Sequence, residues 1–428
     1  MNPKIYYVKD SEIDPTLIDV DALYILEQLH QAGHIAYLVG GSVRDLLTKR
    51  TPKDFDISTS ARPEQIKAIF QRRCLLIGRR FRLAHIRFGH KIIEVSTFRT
   101  GENDSDLIIQ DNEWGTPEED VLRRDFTVNG LFYDAVSHTI IDYVGGWEDI
   151  HTGILRTIGA PEIRFKQDPV RLLRLLKFQA RFGFAIAPET EQAIAICREE
   201  LQKSSQARIL EEILRMLESG ASELFFKLLA QHAILNYLFP LITQFAHTSK
   251  GKEIFHYLTC VDKLHHSKGK NTLDRSILAS CLVFSLVEKE LDRQYLSKKQ
   301  IPHIGEITML TQELLRKVLT QTFTHFPRRI SAMMITLIVA QYRLTPLNGK
   351  KHYRHKLFHF KDFELSLQFL RLRAMVNASL VETYSSIRQE YREYLHQGGQ
   401  RHHHHGSSSH YRERKPHRRR SPTLPQES

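Results

Sequence analysis

Apolar residues recur at helical spacing through Leu23, Leu26 and Leu29 before Gly33, which predicts an amphipathic helix over residues 19–34 leading into a first strand at 35–39. The period then changes. The segments KDFDIST, LAHIRFG and KIIEVSTF are short, β-branched or alternating, and bounded by Gly, Pro or Arg, so they predict strands of one mixed sheet with helices between them. From QDPVRLLRLLKFQARFG onward the strand signals fade. Asp168 reads as an N-cap, Pro169 sits where a missing N–H costs nothing, and Gly183 offers a stop, which predicts a helix over 168–182. Later segments such as ARILEEILRMLESG and SELFFKLLAQHAIL keep the helical period. The pattern predicts an α/β head followed by an all-α neck and body.

A chain of 428 residues exceeds one ordinary core, so several domains are expected. The boundaries fall at 1–34 for an N-terminal segment with its helix, 35–158 for the α/β head and 159–245 for a helical neck. A helical arginine-rich body follows at 246–395, and a disordered basic tail at 396–428. Lys and Arg exceed Asp and Glu by 61 to 49, a net charge of +12, which points to a polyanionic partner. From Gln397 onward seven Lys/Arg face two Glu with no apolar period, which predicts disorder there. The aromatics Phe225, Phe226, Tyr237 and Phe239 read as core rather than as base-stacking groups. Four scattered cysteines without a CxxC pair exclude a zinc ribbon and a disulfide framework and fit a reducing cytoplasm. The first residues carry no apolar run of signal-peptide length. The longest apolar stretches, near 277–287 and 330–340, reach roughly half a bilayer span, so a cytoplasmic protein without membrane contact is expected.

The stretch YLVGGSVRDLLTKRTPKDFDIST sets Asp54 and Asp56 one residue apart on an expected strand, so both carboxylates face one side. One divalent ion could bridge them. Mg²⁺ takes one or two carboxylates and fills its other positions with water and phosphate oxygens, the arrangement phosphoryl or nucleotidyl transfer needs. Upstream, Gly40 and Gly41 precede a helix start at Ser42, with Arg44 in the first turn: backbone N–H groups and a guanidinium fork for a triphosphate. The Walker pattern GxxxxGK[ST] and the pattern GxGxxG are both absent there.

LVGGSVRDLL followed by KDFDIST resembles the signature of the nucleotidyltransferase superfamily, in the class of bacterial poly(A) polymerases and CCA-adding enzymes. RRDFTVNG (123–130) resembles the second motif of that class, DYVGG (142–146) the third and DPVRLLRLLKF (168–178) the fourth. The resemblance implies a nucleotidyltransferase catalytic head and a neck that binds nucleotide and RNA. It implies Asp54 and Asp56 as metal ligands and Asp54, Asp56 and Asp125 as the catalytic acidic centre. Gly41, Ser42, Arg44, Arg124, Asn129, Asp168, Arg171, Arg174 and Lys177 are implied as nucleotide-binding. Glu94 in IIEVSTF is a rival third carboxylate, ranked below Asp125. Mg²⁺, with Mn²⁺ as a substitute, and ATP are the implied cofactor and substrate.

Asp168 and Arg171, at i and i+3, share a helix face and pair an acceptor with a donor. That pair suits the pairing edges of adenine and cytosine over those of uracil and guanine. Gln167 stands where the family usually has Glu. The run RRFRLAH (79–85), the segments FPRRISAMM and HFKDFELSLQFLRLRA, and the basic tail resemble poly(A) polymerases rather than CCA-adding enzymes. The expected activity is template-independent addition of AMP to RNA 3′ ends in mRNA polyadenylation and RNA turnover, with RNA-degradation machinery as protein partners. Three alternatives stand beside it: CCA addition to tRNA, an inactive RNA-binding protein of the same fold, and a small-molecule nucleotidyltransferase.

Overall fold

Eight short strands build one mixed sheet, and the residues that head its central strands become the floor of the site. In chain order they are β1 (Lys4–Tyr7), β2 (Ala36–Val39), β3 (Asp56–Thr59), β4 (Cys74–Ile77), β5 (Leu83–Phe88), β6 (Lys91–Thr97), β7 (Leu131–Asp134) and β8 (Thr139–Asp142). Their spatial order is β1-β8-β7-β2-β3-β6-β5-β4. All neighbours are antiparallel except β3 and β6, whose parallel register sets Asp56 beside Glu94. A parallel pair needs a crossover. The chain supplies it with helix Pro63–Phe70 and the hairpin β4–β5 before it returns as β6. The computed structural model describes residues 2–9, 12–78, 83–100, 114–268, 273–320, 323, 326–349 and 357–403.

The helices of the head and neck are α1 (Val20–Gln31), α2 (Gly41–Leu47), α3 (Pro63–Phe70), α4 (Pro117–Leu122), α5 (Gly146–Thr152), α6 (Pro161–Gln167), α7 (Val170–Phe182), α8 (Pro188–Cys197), α9 (Gln206–Leu217) and α10 (Ser222–Gln231). Helices continue to His403, and one hydrophobic cluster runs unbroken from Ile13 in the head through the neck to Leu372 in the body. In α7 the buried positions Val170, Leu173, Leu176 and Ala180 alternate with a stripe of Arg171, Arg174, Lys177 and Arg181. Spacings of three, three and four residues set these four cations on one face. Like charges so placed repel, and the fold has to answer them.

Several expectations change. The first strand is Lys4–Tyr7, not 35–39. It is an edge strand of four residues with Ile5 and Tyr7 exposed, too short for an alternating pattern to stand out. Asp168 does not cap α7: no side-chain cap bond forms there, and its carboxylate turns to arginines instead. Regular helix (Val381–His403) runs past residue 396, so the boundary expected for the tail moves on to His403. Residues 404–428 and residues 79–82 of the RRFRLAH run lie outside the described residues. Gly183 ends α7 at φ +73° as expected, and Phe225, Phe226 and Phe239 are core. All four cysteines are free and buried, and no helix among the described residues is long and apolar enough to cross a membrane.

Candidate active site

β2 ends at Val39, and Gly40 turns the chain at φ +68°, a backbone state that favours glycine, so that α2 starts at once. A Cβ on Gly40 would stand 3.2 Å from the Arg124 guanidinium. The next predicted phosphate ligands are committed elsewhere. The Ser42 hydroxyl donates to the Val39 carbonyl at 3.0 Å. Arg44, only 4% exposed, donates to Asp45 at 2.7 and 3.0 Å and to Asn129 Oδ1 at 2.5 Å, with its guanidinium over Phe178 and Phe182. Both side chains brace the loop from beneath, so any phosphate contact of Gly41 and Ser42 falls to their backbone. Arg44 supplies no open fork, which corrects the sequence reading.

Asp56 opens β3, and Asp54 precedes it in the irregular turn rather than on the strand. Both are exposed. Desolvation at the strand start, then the charges of Glu94 and Asp54, push the Asp56 carboxyl up to about 6. Three carboxylates within electrostatic reach repel one another, and a divalent cation relieves that repulsion. Among the described residues no group of three or more His, Cys, Asp or Glu is arranged as a complete metal cage. Two carboxylates whose other positions pass to water and phosphate oxygens fit the hard-ion pattern. Glu94 also lies 3.3 Å from His85 Nε2.

Asp56 and Glu94 open onto a cleft of about 330 Å³ that Ser58, Arg99, Arg123 and Arg124 also line. Hollows of about 450 and 630 Å³ lie in the helical body, so size does not choose the site. Chemistry does. Arg124 donates to Asp120 at 2.8 Å and to the Ser58 hydroxyl at 3.4 Å, and its charge lowers the proton affinity of Asp56. Burial, followed in Arg99 by the Arg123 charge and in Arg171 by the Arg164 charge, holds these guanidinium groups below their ordinary range. Arg123 is lowered likewise, by burial. The cleft thus sets a crowd of guanidinium groups beside exposed carboxylates, a combination suited to a phosphate and a divalent cation.

Asp125 stands apart from the cleft. It is 5% exposed, accepts N–H from Asn129 at 3.0 Å and from Phe126 at 2.9 Å, and lies 2.8 Å from the Arg174 guanidinium. Burial alone would raise its pKa; the charge of Arg174 and these hydrogen bonds hold it below the usual carboxylate range. Arg174 in turn approaches Glu212 of α9 at 4.0 Å, and Lys177 bonds the same carboxylate. Asp45, Arg44, Asn129, Asp125, Arg174, Glu212 and Lys177 thus form one polar chain from head to neck. Glu94, ranked second from sequence, shares the cleft with Asp56; Asp125, ranked first, does not. Lys177 and Arg174 spend their charges on the junction. Glu212 escaped the sequence reading, although the cation stripe of α7 signalled that a nearby helix must carry countercharge.

Asp168 and Arg171 do lie together, Nε to carboxylate at 4.0 Å, and Arg208 of α9 donates to Asp168 Oδ2 at 2.7 Å. Asp168 Oδ1 is buried with no hydrogen-bond partner, an open acceptor. Arg171 donates to the carbonyls of Arg164 at 3.2 Å and Arg123 at 3.4 Å, which fixes its fork to the RRDFTVNG turn while leaving part of its five-donor capacity. Gln167 accepts from Arg164 at 3.3 Å. The DYVGG motif is structural. Asp142 gathers the N–H groups of Val144, Gly145, Gly146 and Trp147 at 2.9–3.2 Å, and a Cβ on Gly146 would fall 2.2 Å from the Thr127 carbonyl. That packs the start of α5 against the Thr127–Asn129 turn.

Two families match the chain: "Poly A polymerase head domain" over residues 36–156 and "Probable RNA and SrmB- binding site of polymerase A" over 183–245. Poly(A) polymerase I of Escherichia coli O6:H1 is 34% identical over 380 residues, 85% of this chain and 80% of that protein. The CCA-adding enzyme of Bacillus subtilis is 39% identical over 215 residues, 50% of this chain and 53% of its own length. The crystal structure of the Bacillus stearothermophilus CCA-adding enzyme in complex with CTP superposes with a TM-score of 0.65 at 28% identity, covering 87% of this chain and 82% of that one.

Proposed function

The chain belongs to the poly(A) polymerase family of nucleotidyltransferases, and from that premise we propose that it adds AMP from ATP to RNA 3′ ends without a template. The RNA 3′-oxygen bonds to the α-phosphate as its proton departs, and the bond to the β-phosphate breaks to release pyrophosphate. The observation that carries this reading is the cleft in which Asp56 and Glu94 face Arg99, Arg123 and Arg124.

Asp54 and Asp56, with Glu94 beside them, would hold Mg²⁺, for which Mn²⁺ substitutes. When bound, the metal would polarise the α-phosphate and acidify the 3′-hydroxyl. The chain's own groups do the rest. The Gly40–Gly41 turn lets the triphosphate approach the backbone, and Arg124 neutralises its charge from across Gly40. Asp168 Oδ1 accepts the exocyclic N–H of adenine while Arg171 donates to the ring nitrogen beside it. Asp125, Asn129 and Arg44 hold neck and head in that relation.

Likeness to a poly(A) polymerase over 85% of the chain, against half the chain for a CCA-adding enzyme, favours tailing over CCA addition. RNA-degradation partners belong to the same reading, supported by the RNA and SrmB-binding description matched at 183–245.

Product length tests it. The protein with Mg²⁺ is given an unstructured RNA oligomer or a tRNA lacking its last three nucleotides, with each nucleoside triphosphate alone and with ATP and CTP together. Long A-tails on both RNAs from ATP alone are expected, with little extension by UTP or GTP. Restoration of only C, C and A on the truncated tRNA, with the oligomer untouched, overturns the reading.

A further inference from the structure

Three cations of the α7 stripe are answered by carboxylates: Arg171 by Asp168, Arg174 by Asp125 and Glu212, Lys177 by Glu212. The fourth, Arg181, is not. Its guanidinium lies 5.2 Å from the Phe182 ring centroid, and the same ring carries Arg44 at 4.6 Å and Arg50 at 4.6 Å. Asp45 is the carboxylate whose charge reaches Arg181, but its side-chain contacts, at 2.7 and 3.0 Å, go to Arg44. Among the described residues neither Arg50, Lys53 nor Arg181 forms an ion pair. Arg50 and Lys53 are exposed and flank the turn that leads to Asp54. From the body side, His265 comes within electrostatic reach of Arg181 and Lys53, and it packs with His266 against Gly220. The Asp262 carboxylate nearby is occupied by the N–H groups of Ser222 and Glu223 and the Ser222 hydroxyl. Head and neck therefore bring Arg50, Lys53 and Arg181, none of them in an ion pair among the described residues, to one place beside the His265 ring of the body, next to the carboxylate turn and apart from the nucleotide-facing residues Asp168, Arg171 and Arg124.

We propose that Arg50, Lys53 and Arg181 form a binding site for the backbone phosphates of the incoming RNA, holding the nucleotides just behind the 3′ end while that end reaches Asp54 and Asp56. Guanidinium groups stacked on a ring are fixed in direction yet keep their in-plane donors, which suits phosphate oxygens. A row of such contacts carries no base information. The site thus accepts any RNA sequence, and it leaves base selection to the Asp168–Arg171 pair on the triphosphate. The inference rests on the proposed RNA-tailing function and adds where the RNA lies.

The test uses the full chain and a labelled unstructured RNA oligomer. Its dissociation constant is measured by fluorescence anisotropy across a salt series for wild type, Arg50→Ala/Lys53→Ala and Arg181→Ala. Each lost phosphate contact should reduce the slope of log affinity against log salt by about 0.7, so the double variant should lose about 1.4 and Arg181→Ala about 0.7. The KM for RNA should rise at least about fivefold while the KM for ATP stays unchanged. Arg50 and Lys53 are exposed, so the double variant should keep the wild-type melting temperature. Arg181→Lys should recover part of the slope lost in Arg181→Ala. Wild-type slopes in the variants overturn the inference, as does a rise in the KM for ATP without one for RNA. Failure of the wild-type protein to bind or extend the oligomer at all overturns the tailing function itself, a result distinct from either.

Discussion

Arg174, midway along the neck helix, lies 2.8 Å from Asp125 of the head, and the pair is sealed from solvent on the Asp125 side. Removing one partner leaves a charge in a place built for two. Asp125→Asn should therefore lower unfolding free energy by on the order of 3 kcal/mol at neutral pH, read from denaturant melts. Because the folded Asp125 carboxyl sits below its ordinary pKa, its contribution is complete above the usual carboxylate range and is lost as pH falls through the depressed value. Wild type should lose this increment on acidification below about pH 4, and the variant should have none to lose. An equally stable variant would show that the junction does not depend on the pair.

Asp56 behaves in the opposite sense. Its folded pKa of about 6 exceeds the ordinary 3.8, so between those values the folded protein holds a proton that the unfolded chain has released. Stability then falls as pH rises through that window, because desolvation and the charges of Glu94 and Asp54 together outweigh the attraction of Arg124 for the ionised carboxylate. Asp56→Asn should melt at the same or a higher temperature than wild type at about pH 7.5, with the difference vanishing near pH 4, while nucleotide incorporation drops by several orders of magnitude. Mg²⁺ should raise the wild-type melting temperature and raise that of the variant much less. A variant that melts lower yet retains turnover would remove Asp56 from the metal role.

Much of this was legible in the sequence, and the part that was not has physical causes. The Gly40–Gly41 turn, the Asp54/Asp56 spacing and the α7 helix with its Gly183 stop are local features, set by backbone sterics and side-chain periodicity within a dozen residues. That Glu94 rather than Asp125 shares the cleft with Asp56 is a matter of pairing register: β6 joins β3 in parallel after a crossover of some thirty residues, and no local pattern says that Glu94 will stand beside Asp56. Arg44 misled for a similar reason. Early in a helix after two glycines it reads as a phosphate ligand, but Asn129 and Phe178, far along the chain, capture it.

Gly146 offers a test of the structural reading of DYVGG. A methyl group there would collide with the Thr127 carbonyl, a backbone atom that cannot rotate away. Gly146→Ala should cost about 3 kcal/mol of stability by forcing α5 off the Thr127–Asn129 turn. Activity should fall in proportion to the folded fraction, and recover at lower temperature. A stable but inactive Gly146→Ala protein would instead give the motif a direct part in catalysis.

Base selection is the sharpest consequence of the neck geometry. Asp168 keeps one oxygen on Arg208 and leaves the other without a partner; in the proposed function an exocyclic amine of adenine or cytosine would find an acceptor there, whereas the carbonyl of uracil or guanine would meet a second acceptor. One well-formed pair of base contacts discriminates by about 1–3 kcal/mol, or roughly five- to 150-fold. Asp168→Ala should reduce the ratio of kcat/KM for ATP to that for UTP by about that factor, chiefly through loss with ATP, while RNA affinity stays at the wild-type value. Arg208→Ala should act in the same direction but less strongly: the carboxylate loses the cation that orients it yet keeps its open oxygen, so the KM for ATP should rise with the UTP ratio only partly relaxed. The two variants separate acceptor from orientation. If Asp168→Ala keeps the full preference for ATP over UTP, the nucleotide base is read elsewhere and the open oxygen of Asp168 has no part in it.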